Sequence, residues 1–182
     1  MKKQLLALAV LALAAGTASA QANDTLAKIK SSGTVNLGVR DSSGLAFTIG
    51  GGKYVGFHTE MAERIVDDLK KVTGNPNLKI NYQVITSQNR IPLLQNGTID
   101  FECGSTTNNL TRQKDVAFAV TTYVEEVRMA VKANSGIKSI KDLAGKTVAT
   151  TTGTTSVQTL RKNERANGID FKEVMGKDHA DS

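Results

Sequence analysis

Arginine, serine and threonine side chains stand directly after segments of the chain that have the pattern of buried β-strands. Arg40 follows the alternating run that ends at Val39, and Arg90 and Arg112 follow two later runs of the same kind. The planar guanidinium of arginine donates two parallel charge-assisted hydrogen bonds to a carboxylate. Five further residues with hydroxyl or imidazole side chains occupy comparable places: Ser87, Ser105, Thr107, Thr155 and His179. Together these residues predict a site for a small dianionic ligand that is held by its carboxylates.

The position of these residues indicates a shared site, because ligands of open α/β sheets bind outside the carboxyl ends of the strands. Ser87 and Thr155 also stand where two helices are predicted to begin, so backbone amides and the helix dipole would favour an anion there. Each residue has an ordinary explanation as well. A single loop arginine is usually solvated, Ser87 and Thr155 could serve only as helix caps, and His179 could be a cap or a surface residue. The agreement across five strand ends favours the binding site.

The first half of the chain alternates strand and helix patterns. Val35, Leu37 and Val39 share one face of a predicted strand, and apolar residues recur at helical spacing between Phe57 and Val72. The predicted elements are a helix at 25–31 closed by Gly33, strands at 34–39 and 78–84, a hairpin-like turn at 50–52, a helix at 57–72 stopped by Gly74, a short helix that Ser87 caps and Gly97 ends, with Pro92 near its start, and a short buried strand at 99–103.

The second half repeats this alternation. Strands are predicted at 127–131, 147–150 and 170–174, a helical turn at 139–143, and a helix at 154–166 that Gly168 stops. A β-α-β-α-β order that occurs twice is typical of two doubly wound α/β lobes. The crossover is predicted near residues 121–126, with a first lobe at 21–124 and a second at 125–182. Because the second lobe ends after one complete helix, we expect it to be incomplete and the chain to be truncated.

The N-terminus has the pattern of a signal peptide at residues 1–20. Lys2 and Lys3 precede a wholly apolar run, and Ala18-Ser19-Ala20 supplies the small-residue cleavage pattern. The apolar run is shorter than the about 20 residues that span a bilayer. The sequence therefore predicts export to the periplasm, with a mature chain that begins near Gln21.

The charge pattern argues against a nucleic-acid partner. The formal net charge is +6, of which the two N-terminal lysines supply two. Lys and Arg are scattered, and aromatic residues make up 4% of the chain, whereas nucleic-acid binding calls for clustered charge with stacking side chains. The single cysteine, Cys103, indicates a missing partner or a buried free thiol, or else it is a small apolar core residue. No cysteine or histidine spacing suggests a metal site, no cofactor is expected, and the chain is expected to be a monomer.

Two long motifs carry a resemblance to a known family. Residues 86–97 (TSQNRIPLLQNG) and residues 101–109 (FECGSTTNN), the latter followed by 111–114 (TRQK), resemble the signatures of glutamate/aspartate-binding proteins of amino-acid ABC importers. Shorter pieces at 39–43, 153–156 and 177–179 match in order and spacing. The resemblance extends from the signal peptide to Ser182. It implies a solute-binding protein of family 3 with the α/β, two-lobe type II periplasmic binding protein fold.

The resemblance also implies a role for each candidate residue. Arg112, with Ser105 and Thr107, would bind the α-carboxylate region of the amino acid, and Thr155 would add a bond from the second lobe. The remaining four would bind the side-chain carboxylate, with the last closing over it: Arg40, Ser87, Arg90 and His179. The acidic residue that pairs with the ligand's ammonium group in this family lies beyond Ser182. Ligand contacts to both lobes would favour a closed state, which the membrane permease of the importer would recognise.

Two other functions remain open at this level. An enzyme on the same scaffold, such as a dehydratase, would need a general acid or base. His179 is the one candidate for that role, with only Asp178 and Asp181 near it in sequence. A receptor for glutamine or for basic amino acids is the alternative within the binding class. It is disfavoured because an amide NH2 would face the donors of Arg40 and Arg90 without an acceptor.

Overall fold

A computed structural model describes residues 24–182, and the predicted signal peptide at 1–20 lies outside these residues. The strands are β1 (Thr34–Val39), β2 (Ser42–Ser43), β3 (Ala46–Gly50), β4 (Lys53–Val55), β5 (Lys79–Val84), β6 (Phe101–Glu102), β7 (Thr147–Thr151) and β8 (Lys172–Gly176). The α-helices are α1 (Thr25–Ser32), α2 (Phe57–Thr73), α3 (Arg90–Gln95) and α4 (Thr155–Asn167), and 3-10 turns occur at Arg112–Lys114, Ile140–Leu143 and His179–Asp181. Within this part of the chain, no helix combines the length and apolar character needed to cross a bilayer.

The first sheet is parallel and has the order β5-β1-β6. All six residues of β1 are paired with β5, from Thr34 opposite Lys79 to Val39 opposite Val84. The predicted inward face of β1 is confirmed, since Val35, Leu37 and Val39 are buried. Burying an aliphatic side chain of this size contributes about 1.5–3 kcal/mol to stability. Because β1 is the central strand, its carboxyl end lies between those of β5 and β6.

Glycine ends three helices as the sequence predicts. Gly33, Gly74 and Gly168 adopt the left-handed conformation after α1, α2 and α4, which returns their amides to the last carbonyls of each helix. The turn at 50–52 likewise joins β3 and β4 as an antiparallel hairpin. Local backbone chemistry thus accounts for these boundaries without any long-range contact.

The buried face of α2 differs from the predicted one. Phe57, Ile65 and Val72 are exposed, Val72 by 64%, whereas His58 and Thr59 are buried. The hairpin meets the first turn of this helix from one side. The His58 amide donates to the Leu45 carbonyl at 3.0 Å, and the Thr59 hydroxyl donates to a β4 carbonyl at 3.3 Å. Helical periodicity predicts the element correctly, but the neighbouring hairpin decides which residues of the first turn are covered.

A separate antiparallel sheet has the order β2-β3-β4, and the sheet of the second lobe contains β7 and β8, paired in parallel and connected by α4. The strand predicted at 127–131 is wrong, because residues 117–132 have no regular secondary structure and Val127 is 55% exposed. The backbone N–H and C=O groups of a strand need hydrogen bonds from a neighbouring strand, and among residues 24–182 no strand pairs with this segment. The described second lobe is therefore a single β-α-β unit, and the predicted second β-α-β-α-β order is not present there. Its last strand begins at Lys172 rather than at residue 170, and β6 is shorter than predicted.

Gly56 provides a test of the hairpin–helix junction. Its φ is +115°, and a Cβ there would lie 2.5 Å from the Leu45 carbonyl oxygen. We expect Gly56→Ala to lower the free energy of unfolding by about 2–4 kcal/mol, because backbone strain and a backbone clash add together. Gly51→Ala is the matched control, since its φ is +61° with no atom within 4 Å of the added carbon. Urea unfolding followed by circular dichroism measures both, and equal losses would contradict the proposed clash.

Candidate functional site

Arg40 lies where the three parallel strands of the first sheet end. It follows β1 directly, and its side chain is completely buried. Its Nη1 atom donates to the Ser87 hydroxyl after β5 at 3.1 Å, and to the Ser105 hydroxyl after β6 at 3.4 Å. One guanidinium therefore joins the ends of all three strands. Because both hydroxyl oxygens accept from Arg40, their own hydrogens remain free to be donated to a ligand.

Arg90 is the first residue of α3 and is 2% exposed. Its Nη1 atom lies 3.5 Å from the Ser105 hydroxyl and 3.7 Å from Oε1 of Glu102. Burial lowers the pKa of Arg90 to about 10, an effect that Glu102 opposes and that Arg112 and Arg40 reinforce. The guanidinium therefore remains charged at neutral pH and contributes a second cation to the site.

The predicted helix caps at Ser87 and Thr155 are wrong. Asn89 precedes α3 without a side-chain cap, and the Ser87 hydroxyl is engaged by Arg40 instead. At α4 the cap is Thr154, whose hydroxyl accepts from the Val157 amide at 3.4 Å, and Thr155 is the first helical residue. The cap thus falls one residue earlier at α4 and two residues later at α3. The Ser87 and Thr155 hydroxyls therefore contact other side chains instead of capping a helix.

Arg112 joins the two lobes. It opens a 3-10 turn after β6, and its guanidinium donates to the Thr107 carbonyl at 3.0 Å and to the Gly153 carbonyl, beyond β7, at 3.2 Å. No carboxylate within residues 24–182 lies within ion-pair distance of it, in contrast to Arg40 and Arg90. Arg112 is half-buried. Its charge is therefore the least compensated of the three.

Residues of the second lobe lie against this group. The Thr155 and Thr107 hydroxyls lie 3.3 Å apart. His179, after β8, has its Nδ1 atom 3.1 Å from the Thr151 hydroxyl. Partial desolvation, together with the nearby Arg40, lowers the pKa of His179, so its imidazole is neutral at pH 7. The eight residues singled out from the sequence thus occur at the ends of β1, β5, β6, β7 and β8.

Two acidic residues were not predicted to belong to this site. Asp178 forms an ion pair with Arg40, and Glu102 lies beside Arg90 and accepts a hydrogen bond from Thr106. The signal for Glu102 was its place in a strand predicted to be buried, because a buried carboxylate usually has a cationic partner. The signal for Asp178 is its place directly after β8, which it shares with His179.

Cys103 is an unpaired thiol next to Glu102. It packs against the core formed by Leu37, Val39 and Ala62. Burial, and to a lesser degree the charge of Glu102, raises its pKa to about 11. The thiol is therefore protonated at neutral pH and acts as a small apolar side chain.

The arrangement is suited to binding carboxylates. Three guanidiniums and several hydroxyls lie at neighbouring strand ends, with Arg40 and Arg90 buried and Arg112 half-buried, and the two neighbouring carboxylates leave an excess of positive charge among the described residues. In residues 24–182, no cluster of three or more His, Cys, Asp or Glu side chains could hold a metal ion.

Comparison with known proteins gives consistent matches. The family model of the bacterial extracellular solute-binding proteins, family 3, matches residues 35–180. The glutamate/aspartate import solute-binding protein of Salmonella typhimurium is 43% identical over 100% of this chain and 62% of its own length. The L-glutamate/L-aspartate-binding protein of Pseudomonas aeruginosa is 42% identical over 98% of this chain and 60% of its own length. The chain thus spans less than two thirds of these relatives.

A solved structure supports the fold independently. The ancestral amino acid-binding protein AncCDT-1, a precursor of cyclohexadienyl dehydratase, aligns with a TM-score of 0.67 and 26% identity, over 86% of this chain and 66% of that one. Together with the family match, this confirms the predicted type II, two-lobe α/β fold.

Gly153 offers a test of the close approach between the two lobes. A Cβ at this position would lie 2.7 Å from Cα of Gln88 in the first lobe. We expect Gly153→Ala to weaken binding of any ligand held between the lobes by about tenfold or more, because the methyl group keeps the lobes apart. Gly136→Ala is the matched control, with φ of +73° against +78° and open space around the added carbon. Calorimetric titration would show the difference, and equal affinities would contradict the contact.

Proposed function

We propose that this chain, which belongs to the bacterial extracellular solute-binding proteins of family 3, is the ligand-binding part of a receptor for L-glutamate and L-aspartate. The receptor would deliver the amino acid to the membrane permease of an ABC importer. The observation that carries the proposal is the clustering of three arginines between the lobes: Arg40 and Arg90 share the Ser105 hydroxyl, Arg40 also bonds to Ser87, and Arg112 lies near enough to lower the pKa of Arg90. Two curated relatives are named for the same two amino acids.

Arg112 is suited to the α-carboxylate, which every amino-acid ligand carries. Its bonds run to neutral carbonyl oxygens, so its charge is available to an anion. The hydroxyls of Thr107 and Thr155 lie beside it, one from each lobe. The Ser105 hydroxyl, which the sequence groups with Arg112, contacts Arg40 and Arg90 instead. A carboxylate bound here would contact both lobes at once.

Arg40, Ser87 and Arg90 are suited to the second carboxylate. Both guanidiniums are buried, which makes their hydrogen bonds to an anion stronger than in water. A neutral amide in the same position would direct its NH2 group at donors, and each group left unpaired costs about 1–3 kcal/mol. His179 would close this end from the second lobe. The proposal therefore includes a preference for glutamate over glutamine.

Binding would act by stabilising the closed arrangement of the lobes. A ligand shifts such an equilibrium only by as much as it binds one state better than the other. Arg112 already contacts the second lobe through Gly153, and Thr107 does so through Thr155. A ligand that bonds to the same groups would add free energy only when the lobes are together. The permease would recognise that closed form.

We further propose that the chain binds its ligand without converting it. The Nδ1 atom of His179, the candidate general base, is bonded to the Thr151 hydroxyl, which does not increase the basicity of the ring. Both curated relatives are named for binding or import. The enzyme alternative predicts consumption of the bound amino acid, which chromatography of ligand recovered after long incubation would detect.

The proposed site of action is the periplasm. The family consists of extracellular solute-binding proteins, which agrees with an extracytoplasmic location. Residues 1–20 would act as the export signal, with Lys2 and Lys3 ahead of the apolar run.

A thermal-shift titration of the chain against glutamate, aspartate, glutamine and arginine tests the function directly. We expect a rise in Tm that grows with the concentration of the two acidic amino acids, as linkage requires, and a much smaller rise with glutamine. Arginine should produce no shift, because the site already contains three guanidiniums. Comparable shifts with glutamine and glutamate would contradict the proposed specificity.

Two substitutions test the division of roles between the arginines. Arg112→Ala should weaken glutamate and glutamine alike by about 10–100-fold, since it removes a charged hydrogen-bonding partner of the group they share. Arg90→Lys retains a charge beside Glu102 but loses the planar fork, so it should mainly reduce the preference for glutamate over glutamine. Arg165→Ala, on the exposed end of α4, is the control. Equal and uniform losses in both site variants would refute the assignment.

A further inference from the structure

Asp178 forms a direct contact between the lobes with Arg40. The carboxylate accepts a hydrogen bond from Arg40 Nη2, and the two residues are 138 positions apart in the chain. Arg40 follows β1 in the first lobe and Asp178 follows β8 in the second lobe. Arg40 is completely buried, and the side chain of Asp178 is 18% exposed. The pair is therefore a largely desolvated ion pair between the two lobes.

The chain around Asp178 holds its carboxylate in place. Asp178 caps the 3-10 turn His179–Asp181 and accepts from the His179 amide at 2.8 Å. The Asp181 carboxylate accepts in turn from the amides of Lys177 and Asp178, at 3.1 and 2.9 Å. A second contact between the lobes lies next to it, where the Ala180 amide donates to the Ser42 hydroxyl at 3.2 Å. The turn is thus built to present a negative charge to the first lobe.

Asp178 supplies the counter-ion that the buried Arg40 needs. A fully buried guanidinium without a counter-ion is strongly unfavourable, and Arg40 has Ser87 and Ser105, both neutral, as its other partners. Burial acts to raise the pKa of Asp178, but its hydrogen bonds from the His179 amide and from Arg40 outweigh that effect and lower it. The carboxylate is therefore ionised at neutral pH and compensates the buried cation whenever the lobes are together.

We propose that Asp178 is a positioning residue that stabilises lobe closure before the ligand arrives and holds Arg40 in the orientation that binding requires. With Nη2 on Asp178 and Nη1 on two serine hydroxyls, the plane of the guanidinium is defined from both lobes. The ligand-free protein then samples the closed state, and less binding free energy is spent on closing the cleft. The role in ligand binding rests on the proposed function, but the contact between the lobes can be tested without a ligand.

The first test measures lobe separation in the full chain without ligand. Spin labels at Lys71→Cys and Lys162→Cys, one on an exposed position of each lobe, report the distance by double electron–electron resonance, in a Cys103→Ser background. We expect a major population at the closed distance in the unsubstituted site, and its loss in Asp178→Asn. Asp170→Asn removes the same charge from an exposed position and should leave the distance distribution unchanged. A closed population that persists in Asp178→Asn would overturn the proposal.

The second test measures glutamate affinity by calorimetry in the same variants. Asp178→Asn should bind about tenfold or more weakly, whereas Asp170→Asn should bind as the parent does. Tighter binding in Asp178→Asn would overturn the proposal, because Asp178 would then compete with the ligand for Arg40. If Asp178→Asn fails to melt cooperatively, Asp178→Glu retains the charge, and it should restore closure. If the parent closes without ligand but binds no glutamate, the proposed function fails while the role of Asp178 in closure stands.

Discussion

The buried guanidinium of Arg40 is the interaction on which the rest of the cleft depends. Removing an arginine from water is costly unless its donors find partners and its charge finds a counter-ion. The Nη1 and Nη2 atoms of Arg40 find partners in distant parts of the chain: the Ser87 and Ser105 hydroxyls after two neighbouring strands, and the Asp178 carboxylate in the second lobe. Its Nε atom is buried without a hydrogen-bond partner among residues 24–182. The convergence of the strand ends and the closeness of the lobes therefore have a common physical cause.

Glycine makes this arrangement sterically possible at two positions. At Gly38, within β1, an added Cβ would lie 2.8 Å from Cδ1 of Ile99 and 3.3 Å from Cβ of Glu102. The missing side chain lets β6 pack closely against β1 and so brings Glu102 beside Arg90. Gly153 has the corresponding effect between the lobes, where it allows the backbone to approach Gln88.

The positive charges of the three arginines are compensated to different degrees, so the two ends of the site differ. Arg40 and Arg90 each have a carboxylate partner, Asp178 and Glu102 respectively, whereas Arg112 is bonded to carbonyl oxygens. The end of the cleft near Arg112 therefore presents the stronger unbalanced charge. The end near Arg40 and Arg90 is more rigid, because its guanidiniums are buried and held by partners. An amino acid with a second carboxylate offers one group suited to each end.

The sequence by itself determined what depends on neighbouring residues. The alternation in β1, the glycines that end α1, α2 and α4, and the position of polar residues after strands all follow from local backbone geometry and periodicity. The hairpin that packs on the first turn of α2 decides which residues of that turn are buried. The segment at 127–131 is irregular because no described strand pairs with it. The partners of Arg40 were likewise decided by tertiary structure, because they lie 47, 65 and 138 residues away. Periodicity and turn chemistry act over a few residues, so no local pattern could identify Asp178 as the counter-ion of a guanidinium in the other lobe.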